Sequence, residues 1–188
     1  DLTQKCKPPK NAKYIGLLSR FQDKTIQATN EFKGYELLII LSGPEPQRTV
    51  LEKKLIKQIG ATGRKTLLVR GLPDNEPKAF PENITVFQHL DAAQMKSAIL
   101  SVKHIVSRSG YTTIMDLLAL KRNAILIPTP GQTEQEYLAK YFHEKKVFFT
   151  MKQKDFVLET AIQQLPNYNS MPDIEQNNFN FLNFFRFF

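Results

Sequence analysis

Short apolar runs alternate with amphipathic stretches along most of this chain, and that rhythm limits its folding choices more than any other feature. Tyr35–Leu41 reads Tyr-Glu-Leu-Leu-Ile-Ile-Leu, nearly all apolar. A strand with one wet face would alternate; a run like this belongs to a parallel sheet covered on both faces. Thr49–Ile59 follows with Val50, Leu51, Leu55, Ile56 and Ile59 at helical spacing. Further strands are expected at Lys65–Val69, Ile84–Phe87, His104–Val106, Ala124–Ile127 and Val147–Phe149, with an earlier one at Tyr14–Leu18. Helices are expected at Ala92–Ser101 behind an Asp91 N-cap, Tyr111–Leu120, Thr133–Lys145 and Lys154–Leu165. The alternation predicts an α/β fold: a parallel sheet with helices on both faces. No internal repeat is visible.

At 188 residues, 41% of them hydrophobic, the chain can bury one core. Residues 1–12, rich in Lys and Pro, read as a linker, and 13–165 as one domain. Residues 166–188 form a separate aromatic segment, with six phenylalanines in the last ten positions. It must pack as a final helix on this domain, dock on another domain or subunit, or meet a membrane interface. No run approaches the ~20 apolar residues of a membrane helix. The chain opens on Asp1 in a polar segment, with neither an initiator Met nor a signal-peptide pattern, so a fragment or processed chain is expected. Cys6 stands alone, which forbids an internal disulfide and suits a reducing, cytoplasmic setting.

The net charge of +8 needs a partner or a solvated surface. Nucleic acid is disfavoured, because the lysines are dispersed (Lys53, Lys54 and Lys57, then Lys145 and Lys146, then Lys152 and Lys154) and no RNA-binding aromatic motif or zinc-finger spacing accompanies them. An anionic membrane surface is the better electrostatic partner, touched peripherally. A plain basic surface remains the simpler reading.

The chemistry concentrates in Ser107-Arg-Ser-Gly-Tyr-Thr-Thr-Ile-Met-Asp116 and Ile127-Pro-Thr-Pro-Gly-Gln-Thr-Glu-Gln135. The first reads as a strand end, a glycine turn and a helix. Such a turn presents free N–H groups and the positive end of a helix dipole, which suits a phosphate. Asp116 lies nearly two turns in, where a carboxylate can accept hydrogen bonds from ribose hydroxyls. The second motif puts a polar loop at the carboxyl end of the next strand, the edge where open α/β sheets bind ligands. Together they outline a nucleotide-sugar site. Each part has a plainer reading: Gly110 as a turn glycine, Asp116 as a helix-surface acid, and Gln132–Gln135 as a polar helix start capped by Thr133.

On these residues the chain resembles the donor-binding C-terminal domain of glycosyltransferase family 28, whose members have a GT-B fold of two Rossmann-like domains facing across a cleft. The resemblance is strongest over Ser107–Ala139 and extends more weakly over Lys13–Phe149. It implies that Ser109, Gly110, Tyr111 and Thr112 form the phosphate-binding turn. It implies that Asp116 replaces a ribose-binding Glu. It also implies that Gln135 touches the donor sugar and diphosphate, with Glu136 standing where the family has a second, adjacent Gln; Gln132 and Glu134 of the same loop are expected to touch the ligand too. Gly16-Leu-Leu-Ser-Arg20 matches a Gly-x-x-x-Arg pattern, which points Arg20 at the donor phosphates. The family's glycine-rich loop is replaced by Ser42-Gly-Pro-Glu-Pro46, leaving Ser42 and Gly43 to approach a phosphate. His89, beside Leu90 just past the end of a strand, is expected to line the base pocket through its backbone, and Leu90 is expected among the donor-binding residues.

The implied function is transfer of a hexosyl group, foremost N-acetylglucosamine, from a UDP-sugar to an acceptor hydroxyl. The implied partner is an N-terminal acceptor-binding domain, which would carry the catalytic base, since none of His89, His104 and His143 matches one. No cluster has metal-ligand spacing, so no cofactor or metal is expected. Two other readings stay open: a non-catalytic donor-binding subunit that needs a separate acceptor-binding chain, and a UDP-sugar 2-epimerase-like isomerase.

Overall fold

The computed structural model describes residues 17–72 and 79–171. Its regular elements run β1 (Leu37–Ile40), α1 (Gln47–Thr62), β2 (Thr66–Val69), β3 (Ile84–Phe87), α2 (Ala92–Ser101), β4 (His104–Ser107), α3 (Tyr111–Ala119), β5 (Ile125–Leu126), α4 (Thr133–Glu144), β6 (Phe149–Thr150) and α5 (Leu158–Gln164). Short 3-10 turns lie at Arg20–Gln22, Gln153–Asp155 and Leu165–Asn167.

The strands form one parallel sheet in the order β3-β2-β1-β4-β5-β6. In β1, Leu37–Ile40 pairs with Thr66–Val69 on one side and His104–Ser107 on the other, so it is a central strand. Its side chains serve both faces. Leu38, Leu67 and Ile105 pack with Ala98 of α2, Ile114 and Leu117 of α3 and Leu138 of α4. Leu37, Ile39, Leu68 and Val106 pack with Leu51, Leu55 and Ile59 of α1 and Leu158 and Ala161 of α5. Two-sided cover explains why β1 reads as an unbroken apolar run.

The expected fold class is the observed one: a Rossmann-like sheet with helices on both faces. Helix α2 has the expected bounds, because Asp91 and Gln94 form a reciprocal capping box at its start. Three stretches differ. Val147 and Phe148 are buried but precede the strand: Lys146 turns left-handed (φ 57°) and the Val147 N–H donates to the Phe142 carbonyl, closing α4. The last expected helix starts only at Leu158, after the turn at Gln153–Asp155, where the Leu158 N–H donates to Oε1 of Gln58 at 2.6 Å. Of the expected strand Tyr14–Leu18, Tyr14–Gly16 lie outside the described residues, and Leu17 and Leu18 are irregular.

The linker at 1–12 and most of the aromatic segment, 172–188, also lie outside the described residues. Tyr168 is buried beside Phe149, and Met171 packs on the core, so the packed unit reaches past residue 165. No described helix is long and apolar enough to cross a membrane.

Candidate functional site

The order of the sheet reverses between β1 and β4: the chain runs outward from β1 to β2 and β3, then returns through β4 to β5 and β6. Loops leaving the carboxyl ends of such a pair diverge to opposite faces and open a crevice. Ser42 and Gly43 leave β1 toward α1; Ser109 and Gly110 leave β4 toward α3. Gly43 has φ +98°, and a Cβ there would stand 3.3 Å from Oγ1 of Thr129. The loop after β5 therefore closes against the loop after β1. Three of the expected segments share one rim.

Helix α3 begins at Gly110 with no side chain capping it and no acid in its first turn. Its first N–H groups and the positive end of its dipole are left to an external acceptor. Tyr111 and Thr112 are exposed there. Gly110 itself has φ −72° and ψ 145°, a backbone any residue adopts, and a Cβ added to it would meet nothing within 4 Å. Neither strain nor packing asks for glycine at this position. By contrast, Oε2 of Glu45 accepts the Thr49 N–H at 3.2 Å, so α1 carries its own anion at its N-terminus.

Asp116 is not a surface acid: it is 3% exposed. Its Oδ1 accepts the Ser19 hydroxyl at 2.7 Å, and its Oδ2 accepts Nε of Arg20 at 3.1 Å. Arg20 is brought to α3 through this pair, and its side chain remains 44% exposed. Gly16, the start of its sequence pattern, lies outside the described residues.

The polar residues after β5 are largely engaged with one another. Oε1 of Gln135 accepts the Thr129 N–H at 3.0 Å, and its Nε2 donates to Oε1 of Gln132 at 2.5 Å. The buried Ser109 hydroxyl donates to the Gln135 carbonyl at 2.9 Å, so Ser109 ties the α3 turn to α4 and offers a ligand only its main chain. The N-cap position of α4 is Gln132, one residue before Thr133, and Glu134 is exposed in the first turn. Leu90 is buried in the core, so its side chain is not offered to a ligand.

Arg108 is the residue that sequence reasoning passed over. It is 1% exposed on the α1 side of the sheet. Its guanidinium donates to the carbonyls of Ile127 (3.4 Å), Pro128 (3.3 Å) and Gln47 (2.8 Å), lacing the β5 loop to the start of α1 beneath the rim. Its Nε has no partner, and no carboxylate among the described residues pairs with it. Burial alone pushes its pKa down to about 10, so it is cationic at neutral pH. The available signal was a charged residue between two serines at the end of an otherwise apolar strand.

A separate cavity of about 640 Å³ lies between α4 and the segment after β6, lined by Pro130, Ala139, His143 and Met151 among others. None of the expected donor residues lines it.

The sequence profile of the glycosyltransferase family 28 C-terminal domain matches residues 36–186. A UDP-N-acetylglucosamine–N-acetylmuramyl-(pentapeptide) pyrophosphoryl-undecaprenol N-acetylglucosamine transferase of Bacillus cytotoxicus is 32% identical over 90 residues, 47% of this chain and 24% of the relative. An enzyme of the same name (number 2) from Bacillus thuringiensis is 27% identical over 139 residues, 68% of this chain and 38% of the relative. The chain thus spans well under half the length of these relatives. Among solved structures, MurG of Acinetobacter baumannii superposes with a TM-score of 0.57 at 18% identity, covering 82% of this chain and 47% of that one. The glycosyltransferase SnogD of Streptomyces nogalater gives 0.57 at 13% identity, covering 75% and 40%. At such identities the shared property is the fold.

Proposed function

This chain belongs to glycosyltransferase family 28, as a C-terminal domain, and from that premise we propose that it binds the nucleotide-sugar donor of a hexosyl transfer. The proposed donor is a UDP-sugar, foremost UDP-N-acetylglucosamine, the donor named for the Bacillus relatives. The observation that carries the reading is Gly110: it opens α3 with free N–H groups and no side chain, where neither backbone nor packing requires its absence. A diphosphate is the ligand that such a helix end accepts.

In the proposed transfer the nucleoside diphosphate leaves with growing negative charge. The N–H groups at Tyr111 and Thr112 and the α3 dipole stabilise that charge from above, and the buried Arg108 from below. Arg20 adds its exposed guanidinium at the lip. Fixed dipoles and charges in a low-dielectric wall need no reorganisation as the bond breaks, which is why this term dominates many such reactions. The proposal assigns this role to protein groups, with no metal ion. Ser42 and Gly43 approach a phosphate from the β1 loop, Gln132, Glu134 and Gln135 frame the sugar side, and the backbone at His89 and Leu90 the base. Deprotonating the acceptor hydroxyl falls to an N-terminal domain or partner chain across the cleft. The excess positive charge would favour work at an anionic membrane surface.

Titration calorimetry of the chain with UDP, UDP-N-acetylglucosamine, ADP and GDP tests the reading. Uridine nucleotides should bind and the purine nucleotides bind at least about tenfold more weakly, a difference of ~1.4 kcal/mol. Equal binding of all four would remove the uridine assignment, and binding of none would remove the donor site.

A further inference from the structure

We infer that the Tyr111 side chain supplies an aromatic face for the transferred hexose, and so sets affinity for the sugar half of the donor. The inference rests on the donor-binding reading above. It gives the side chain a role separate from that of the Tyr111 N–H.

Tyr111 is the first residue of α3 and is 53% exposed. Among the described residues its ring makes no aromatic or cation contact, and its hydroxyl makes no hydrogen bond. The other large apolar residues with this exposure are aliphatic: Leu18, Val50, Leu100 and Val157. One exposed apolar side chain is ordinary on a surface; its place in the fold is what matters. Cα–Cβ bonds tilt toward the N-terminus of a helix, so the ring leans to the end of α3 where the donor phosphates are proposed to sit. That seat has independent support in Arg108, a cation 1% exposed whose Nε has no partner beneath the rim.

The helix decides which half of the donor meets the ring. Tyr111 and Asp116 are five residues apart, about 140° round α3. The Asp116 flank, where the ribose hydroxyls are expected, is shared with Ser19 and Arg20. The 3-10 turn Arg20–Gln22 packs there against α2 and α3. Tyr111 stands on the other flank, toward α4, where the Ser109 hydroxyl reaches the Gln135 carbonyl at 2.9 Å. A donor held by its diphosphate at the end of α3 extends its nucleoside toward Asp116 and its hexose toward Tyr111.

The sign of the interaction agrees. The face of an aromatic ring is the negative end of its quadrupole. It repels a diphosphate and attracts the C–H groups on the face of a pyranose, which carry a small positive charge. The ring therefore gains by lying against the sugar beyond the phosphates.

The test is calorimetry on the whole chain with UDP and UDP-N-acetylglucosamine, unmutated and as Tyr111→Ala, Tyr111→Leu and Tyr111→Phe, with thermal melts of each. Tyr111→Ala and Tyr111→Leu should weaken UDP-N-acetylglucosamine roughly three- to tenfold, the range of a single aromatic contact. UDP should stay within about twofold, because the main-chain N–H groups are untouched. Tyr111→Phe keeps the face without the hydroxyl and should bind both ligands as the unmutated chain does. The melting temperatures should hold, since the side chain is exposed and without partners. Equal weakening of both ligands in Tyr111→Ala would hand the ring to the nucleotide, and no weakening of either would leave it without a ligand. A loss in Tyr111→Phe equal to that in Tyr111→Ala would make the hydroxyl the contact. Each of these overturns the inference and leaves the donor site in place. If the unmutated chain binds neither ligand, the donor-site reading fails and this inference falls with it.

Discussion

The Ser19 hydroxyl donates a 2.7 Å hydrogen bond to Oδ1 of Asp116, joining positions 97 residues apart. Both residues are buried, and the acceptor is a carboxylate, the stronger kind of partner. Ser19→Ala leaves that oxygen without its donor and uncaps the turn at Arg20–Gln22. The expected loss is about 1–3 kcal/mol of stability, read by urea unfolding. At this chain length that is a fall of roughly 2–4 °C in Tm per kcal/mol. A change below ~0.5 kcal/mol would mean that the bond does not form in solution.

The same pair marks what could and could not be read from sequence. Tyr35–Leu41 and the Asp91–Gln94 box are local signals, and β1 and α2 sit where those signals put them. The turn into α3 was equally legible, since Ser109–Thr112 are consecutive and lead into a helix end. Asp116 was not, because its spacing from Gly110 says where it lies on α3 but nothing of a partner 97 residues earlier. Arg108 was hidden for a related reason: the carbonyls it holds come from loops that meet only once β1, β4 and β5 are side by side. Val147 and Phe148 show the opposite failure. Their apolar pattern reported burial correctly, while a left-handed Lys146 decided that they turn before they pair.

Gly110→Ala separates folding from binding. The position tolerates a Cβ in both backbone and space, so stability should change by no more than about 1 kcal/mol: the poorer N-cap that Ala makes is offset by the reduced freedom of the unfolded chain. A phosphate seated on the N–H groups of Tyr111 and Thr112 would meet that methyl group. UDP affinity should fall at least about tenfold, ~1.4 kcal/mol, by calorimetry. An unchanged UDP affinity would leave Gly110 without a reason.

Arg108→Met asks why a cation is buried without a counter-charge. Replacing a buried, unpaired charge by an apolar side chain of similar length is often neutral or stabilising. Here it also cuts three bonds to carbonyls, so stability should stay within about 1 kcal/mol. Binding should not be neutral. In the proposed donor site UDP brings its charge to the rim above Arg108, so its affinity should drop about tenfold while that of uridine holds. Equal losses for UDP and uridine would assign Arg108 to loop geometry rather than to charge.

Acid should weaken the fold through two histidines. Burial, reinforced by the nearby Lys146, holds His143 below its ordinary pKa of 6.5. Burial, reinforced by Arg64, does the same to His104. The ring of His143 is also committed as a neutral species, with Nδ1 facing the Thr150 N–H at 3.3 Å and Nε2 facing the Tyr168 hydroxyl at 2.9 Å. Because the folded pKa lies below the unfolded one, the unfolded chain takes up these protons first as the pH falls. The contribution is complete above the unfolded value and is lost on acidification through the folded value, below which it stays lost. The Tm should therefore be flat from pH 8 to about 7 and decline between about pH 7 and 5. His143→Gln, which keeps a polar group between Thr150 and Tyr168 but cannot titrate, should lower the Tm at pH 7.5 and flatten the decline. A slope identical to that of the unmutated chain would show that His143 is as easily protonated folded as unfolded.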